Sequence, residues 1–263
     1  MKKLGLALGA GGSRGVAHIG FLKALEEEEI PIACISGTSM GSVVGACYAA
    51  GISVEKMIGE VDKIKPSDLI DLSANPLKKL GLLKAVKMKE KLRELLGTIR
   101  ISEMKIPFCC TAVDILKGTP KVFAGDELAF ECVAASSSIP GIFRPTEIDG
   151  VMYVDGGLIS RLPIDECRAL GAEAVVTVDV LGEISEEKRL SNIFSVLFRT
   201  IDLYDGTATQ SKLKELKPDL YLAPDLGSMS QYRFEGMPEA IEAGYRLGKD
   251  NISVIRELCE ISG

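Results

Sequence analysis

Two strand-turn-helix units follow one another without interruption between residues 4 and 51, and this doublet limits the fold more than any other feature of the chain. Leu4 to Leu8 is a short apolar run, Gly9 to Gly15 a glycine loop, and Val16 to Glu29 a helical pattern with Ile19, Leu22 and Leu25 on one face. The unit then repeats. Ile32 to Ser36 is apolar, Gly37 to Gly41 is a tight turn, and Ser42 to Ala50 is a helix of small residues closed by Gly51. A strand that leaves through a helix returns to its sheet in the same direction, so the doublet predicts a parallel sheet covered by helices, an α/β fold.

The remainder of the chain extends this pattern. Val54 to Leu96 reads as helical and more polar, and sheet character returns at Ile106 to Ile115 and at Lys121 to Phe123. Glu127 to Ala135 predicts a short helix. Thr146 to Ile148 and Val151 to Val154 flank Asp149-Gly150, a two-residue hairpin signal. Ala174 to Val180 and Leu220 to Ala223 predict further strands, Gly182 to Arg189 a charged loop, and Pro238 to Ile261 a closing amphipathic helix. At 263 residues the expectation is one domain over 1–263 with one sizeable core.

Charge and cysteine usage narrow the function classes. A net charge of -6 and the absence of Trp oppose both a phosphate-neutralising surface and a base-stacking platform, so no nucleic-acid partner is expected. Seven cysteines, an odd number without metal-ligand spacing, predict reduced thiols and a cytoplasmic setting. The run after Met1-Lys2-Lys3 imitates a signal peptide but breaks at a glycine cluster and Arg14, so it is read as a buried first strand. No stretch approaches the roughly 20 apolar residues that span a bilayer, which leaves peripheral contact as the expected membrane mode.

Gly37-Thr38-Ser39-Met40-Gly41 has the G-x-S-x-G form, with a strand before it and a helix after it. That context suits a nucleophile elbow, whose serine sits in a strained turn with room only for small neighbours. Gly9-Ala10-Gly11-Gly12-Ser13-Arg14-Gly15 fails the dinucleotide spacing, because Arg14 stands where the third glycine belongs, and it lacks the P-loop lysine. What it offers is free backbone N–H groups at a helix start, suited to a developing negative charge.

A Ser-His-Asp triad needs a histidine, and the chain has one, His18, ahead of Ser39 and in the wrong order for an α/β-hydrolase. His18 is read as a helix histidine with a structural partner, so another group must take the serine proton. Asp155 stands out among the carboxylates: it follows the apolar run Val151 to Val154 and precedes Gly156-Gly157. A carboxylate of ordinary pKa ~3.9 is a poor base, so Asp155 has to be partly desolvated to serve.

Four ordered segments together resemble the patatin-like phospholipase family. They are Gly9 to Gly15, Gly37 to Gly41, Ala135-Ser-Ser-Ser-Ile-Pro-Gly-Ile-Phe-Arg-Pro145, and Asp155-Gly156-Gly157 followed by Leu162-Pro163. The resemblance implies a three-layer α/β/α sandwich with a mostly parallel central sheet, a Ser39–Asp155 dyad, and an oxyanion hole from Gly11 and Gly12. Gly9, Arg14 and Gly15 would shape that loop, and Gly37, Gly41 and Gly156 would flank the reactive side chains. The sequence departs from the family at Ala10, where glycine is frequent, and at Ser160-Arg161, where asparagines are common.

On this reading the chain is a serine hydrolase of lipid acyl esters that needs no metal or organic cofactor. Two alternatives use the same fold: an acyltransferase, and a catalytically silent lipid-binding protein. Between Lys78 and Arg100 eight basic residues face two acidic ones, with Met88, Leu92, Leu95 and Leu96 on one helical face. Two readings stand for this stretch: a lid or surface for anionic lipid, and an ordinary solvated helix packed on the core.

Overall fold

Five parallel strands form the centre of a sheet whose order is β5-β6-β3-β2-β1-β7-β8, with β4 paired to β3. In the computed structural model, residues 1–63, 86–183, 190 and 193–260 are described. The strands are β1 (Leu4–Leu8), β2 (Cys34–Thr38), β3 (Phe108–Asp114), β4 (Thr119–Phe123), β5 (Thr146–Ile148), β6 (Val151–Asp155), β7 (Ala174–Val178) and β8 (Leu220–Leu222). β3, β2, β1, β7 and β8 run parallel, whereas β4, β5 and β6 pair antiparallel at one side. The glycine loop and α1 (Ala17–Glu27) carry the chain from β1 to β2, and α2 (Met40–Ala49) follows β2, as the sequence doublet predicts.

Three layers follow from the pleat. Alternate residues of a strand face opposite sides. Leu4, Leu6 and Leu8 of β1, with Ile35 of β2 and Val176 of β7, pack into the larger core beneath α1, α2 and the closing helix. Ala7, Cys34 and Val175 point the other way, into a smaller cluster with Ile164 and Cys167 of α6 (Ile164–Ala169). Both faces of β1 and β7 are buried, which is why these strands are apolar but for Thr177. Fully burying each Leu, Ile or Phe contributes about 1.5–3 kcal/mol. The hairpin signal forms as expected: Ile148 pairs with Val151, and Asp149 and Gly150 both take positive φ, 51° and 77°.

Helices α3 (Val54–Val61), α4 (Val86–Leu96) and α5 (Ala129–Ser136) lie on the larger-core side, and α8 (Met237–Leu258) packs along α1. In α4, Leu92 and Leu96 are buried and Met88 and Leu95 rest against the core. Lys89 pairs with Glu131 and Lys91 with Glu60. The apolar face of this basic helix is thus turned inward; residues 78–85 of the same stretch lie outside the described residues, as do 184–189 of the charged loop and the expected helix end at 261.

Helix α7 (Ile193–Leu216) was not expected from the sequence. Its apolar residues occupy two sides of the helix, and Gly206 with several Ser and Thr residues weakens local helix propensity, so no single 3.6-residue stripe announces it.

Candidate active site

The topology brings residues 39 and 155 together. β4 covers one edge of β3 from Cys110 to Asp114. The other edge is shared: β2 pairs with Phe108 to Thr111 in parallel, and β6 pairs with Ala112 to Asp114 in antiparallel. The two strands therefore run toward each other along β3. β2 ends at Thr38 opposite Thr111, and β6 ends at Asp155 opposite the next residue, Ala112. Thr38 Oγ1 and Thr111 Oγ1 close the junction at 2.8 Å.

Ser39 occupies the corner between β2 and α2 with φ 54° and ψ −126°. This backbone is costly for a residue with a side chain, on the order of 1–3 kcal/mol, and needs support. The support is visible: the Ser39 N–H donates to Ser136 Oγ at 3.0 Å, and its carbonyl accepts from Ser42 Oγ at 2.6 Å and from the Ser42 and Val43 amides. A Cβ on Gly41 would lie 2.2 Å from the Leu8 carbonyl oxygen, so no side chain fits there. At Gly9, Gly15, Gly37 and Gly156 a Cβ would collide with Leu162, Met40, Ser42 and Thr111 in turn.

Asp155 is 5% exposed and Ser39 3%. Asp155 Oδ1 accepts the Gly157 N–H at 2.8 Å, and its backbone N–H donates to the Ser138 carbonyl at 3.0 Å. Burial pushes its carboxyl up to about 7; hydrogen bonds from the Ser39 hydroxyl and the Gly157 amide oppose the rise, and the charge of Asp205 adds to it. The carboxyl and the Ser39 side chain line the same cleft.

The glycine loop winds into a short 3-10 turn, Gly12–Val16, ahead of α1. The Gly9, Ala10, Ser13 and Arg14 amides are spent on Val178, Arg161, Gln231 and Gly11 carbonyls at 3.0 to 3.1 Å. Among the described residues, the Gly11 and Gly12 amides have no such acceptor, and both residues line one cleft with Ser39 and Asp155. Gly12 has φ 52°, and a Cβ there would lie 2.2 Å from the Gln231 carbonyl oxygen. His18 is fully buried and donates from Nε2 to the Gly9 carbonyl at 2.9 Å. Burial holds its pKa down at about 4, so it is a neutral brace for the loop.

The cleft encloses about 530 Å³ of space, part of it open to solvent. Ile139, Pro140, Leu158, Leu181, Phe198 and Ile201 give it apolar walls beside Ser39 and Asp155. An acyl chain suits such walls, and the polar groups gather at one end. Among the described residues, no group of three or more His, Cys, Asp and Glu is placed to hold a metal ion. All seven cysteines are free and buried.

One constellation escaped the sequence reading. Asp179 is fully buried and bound by Arg161 at 2.7 Å and by the Tyr221 hydroxyl at 2.8 Å. Arg161 also pairs with Asp205 of α7 at 3.0 Å. This buried chain ties the end of β7 to the helix that walls the cleft, and the Arg161 carbonyl holds the Ala10 amide of the glycine loop. Arg161 belongs to the Ser160-Arg161 pair noted above as a departure from the family pattern. No periodicity links residues 161, 179 and 205, so only the fold assembles them.

The comparisons with known proteins agree with this architecture. A family model described as patatin-like phospholipase matches residues 6–168. An NTE family protein of Mycobacterium tuberculosis is 33% identical over 180 residues, 68% of this chain and 49% of that protein. Lysophospholipase nte1 of Aspergillus fumigatus is 27% identical over 285 residues, 97% of this chain and 18% of that protein. The chain spans about half the length of the mycobacterial relative (49%) and a smaller part of the fungal one. VipD from Legionella pneumophila superposes with a TM-score of 0.55 at 12% identity, covering 98% of this chain and 67% of that one, a likeness of fold.

Proposed function

Because the chain belongs to the patatin-like phospholipase family, we propose that it hydrolyses fatty-acyl esters of lysophospholipids, phospholipids or related lipids, with Ser39 as nucleophile and Asp155 as general base. One observation supports the reading above all: a serine on a strained corner, at φ 54°, lines one cleft with a buried carboxyl whose pKa is raised to about 7. A base works best when its pKa lies near the working pH. The lysophospholipase name of the Aspergillus relative supports a lipid substrate.

In the proposed reaction, Asp155 takes the Ser39 hydroxyl proton as Oγ bonds to the ester carbonyl carbon. The carbonyl oxygen becomes an oxyanion, held by the unspent amides of Gly11 and Gly12. Collapse of this intermediate breaks the bond to the leaving alcohol, which receives the proton from Asp155, and leaves an acyl-Ser39 ester. Water then gives a proton to Asp155 as it adds to the acyl carbon. Expulsion of Ser39, which recovers that proton, releases the fatty acid.

Two variants test this. Ser39→Ala should abolish both hydrolysis of p-nitrophenyl butyrate and covalent labelling by a fluorophosphonate. Asp155→Asn should lower hydrolysis by at least about a thousandfold while the protein stays folded. Unchanged turnover in either variant refutes the dyad.

A further inference from the structure

Helix α7 has two faces of opposite use. Phe198, Ile201, Asp202 and Asp205 look into the cleft. On the other side Ile193, Val196, Leu197, Leu203 and Tyr204 are exposed to solvent, Ile193 by 66%, Leu197 by 52% and Tyr204 by 68%. At about 100° per residue these five positions, with Thr200 and Thr207, fall within an arc of roughly 120°. None of the seven is charged.

The two threonines add little polarity to this stripe. Thr200 Oγ1 donates to the Val196 carbonyl at 2.9 Å and Thr207 Oγ1 to the Leu203 carbonyl at 2.8 Å. Each hydroxyl proton is thus satisfied by the helix itself. A helix face turned to water normally carries charge and polar groups; this one is apolar for about four turns. The apolar surface is also continuous with the site: exposed Leu197 is followed one turn later by Ile201, which lines the cleft.

We propose that this outer face of α7 rests on a lipid surface, inserting Ile193, Leu197 and Tyr204 among the acyl chains and headgroups. The proposal rests on the lipid-ester reading above, which makes an aggregated lipid the occupant. Substrate esters lie at the boundary between acyl chains and headgroups, and a helix seated there by one face holds the cleft beneath its other face within reach of them. Because the stripe has no charge, its hold does not depend on anionic lipid, unlike a polybasic surface. The apolar face of α4, the other candidate, is packed on the core.

The test uses the full chain and vesicles of pure phosphatidylcholine. Wild-type protein and Ser39→Ala should co-sediment equally, with little change between low and high salt. The triple variant Ile193→Ser, Leu197→Ser, Tyr204→Ser should lose at least about tenfold in vesicle partitioning, since each change removes apolar area that would be buried. Its hydrolysis of soluble p-nitrophenyl butyrate should match wild type, which also reports that the fold is intact. Failure of wild type to bind, or equal binding by the triple variant, overturns the proposal. So does a concentration-dependent dimer that the triple substitution abolishes while vesicle binding is absent, because the stripe would then belong to a second copy. Binding by Ser39→Ala is read without turnover, so a failure of the dyad reading is distinguishable from a failure of the docking reading.

Discussion

Ser136 Oγ accepts the Ser39 amide proton at 3.0 Å, and two residues later the Ser138 carbonyl accepts the Asp155 amide proton at the same distance. A single short segment at the end of α5 therefore registers both proposed reactive residues. Ser136→Ala should remove one support from a backbone already held at φ 54°. The expected loss in stability is about 1 kcal/mol, the worth of one buried hydrogen bond. The expected loss in kcat is larger, about tenfold or more, with KM for a short soluble ester little changed, because the serine loses orientation rather than substrate contact. Steady-state kinetics on p-nitrophenyl butyrate beside a denaturation curve would check both.

The pH dependence of kcat/KM should report Asp155. The proposed base can act only when ionised, so the rate should rise with pH and level off above the carboxyl's pKa of about 7. The charge of Asp205 contributes to that raised value. Asp205→Asn removes a negative neighbour and leaves more of the positive charge of Arg161 uncompensated, so the acid limb should move to lower pH. An acid limb that stays in place would show that Asp205 does not reach the base electrostatically.

Stability should run against activity at residue 155. A carboxyl with a folded pKa near 7 and an ordinary value of 3.8 binds more protons folded than unfolded between those limits. Its native state is therefore favoured at low pH, and the penalty grows as pH rises, reaching its full size above about pH 7. The full penalty is on the order of 4 kcal/mol. Asp155→Asn copies the neutral acid and escapes it. Thermal melts should place the variant above wild type at pH 8, with the gap narrowing toward pH 4.

Much of this was legible in the chain itself, for reasons that also explain what was missed. Leu4 to Leu8 and, but for Thr177, Ala174 to Val178 are apolar on both faces because helices cover both, so near-contiguous runs mark them. The G-x-S-x-G segment is legible because close backbone approach, such as that of Leu8 on Gly41, admits no other residue. Asp155 is singled out by the strand before it and the glycines after it. Its meeting with Ser39 is not, since it requires β6 to enter antiparallel on the edge of β3 that β2 vacates. The Arg161 chain was missed on the same ground: three residues far apart in sequence become neighbours only when β7, β8 and α7 have assembled. Helix α7 hid because its apolar positions serve two surroundings, the cleft and the solvent side.

Arg161 offers the sharpest separation of stability from chemistry. Its guanidinium lies 4% exposed between Asp179, which is fully buried, and Asp205. Removing it as Arg161→Leu leaves two carboxylates in low dielectric without the cation that bonds them both, and breaking a buried pair in this way costs about 3–5 kcal/mol. Arg161→Lys keeps the charge but cannot bridge both partners with a rigid fork, so it should cost less, about 1–2 kcal/mol. The double variant Arg161→Leu, Asp179→Asn removes one of the orphaned charges and should recover part of the loss, a coupling that separate denaturation curves would reveal. Activity should not recover in parallel: Asp205, still without its cation, would stabilise the protonated form of Asp155 and hold the acid limb of kcat/KM at higher pH than wild type. Recovery of stability with a shifted pH profile would assign the arginine to holding the wall of the cleft and setting the charge around the base, whereas a profile identical to wild type would reduce it to a brace.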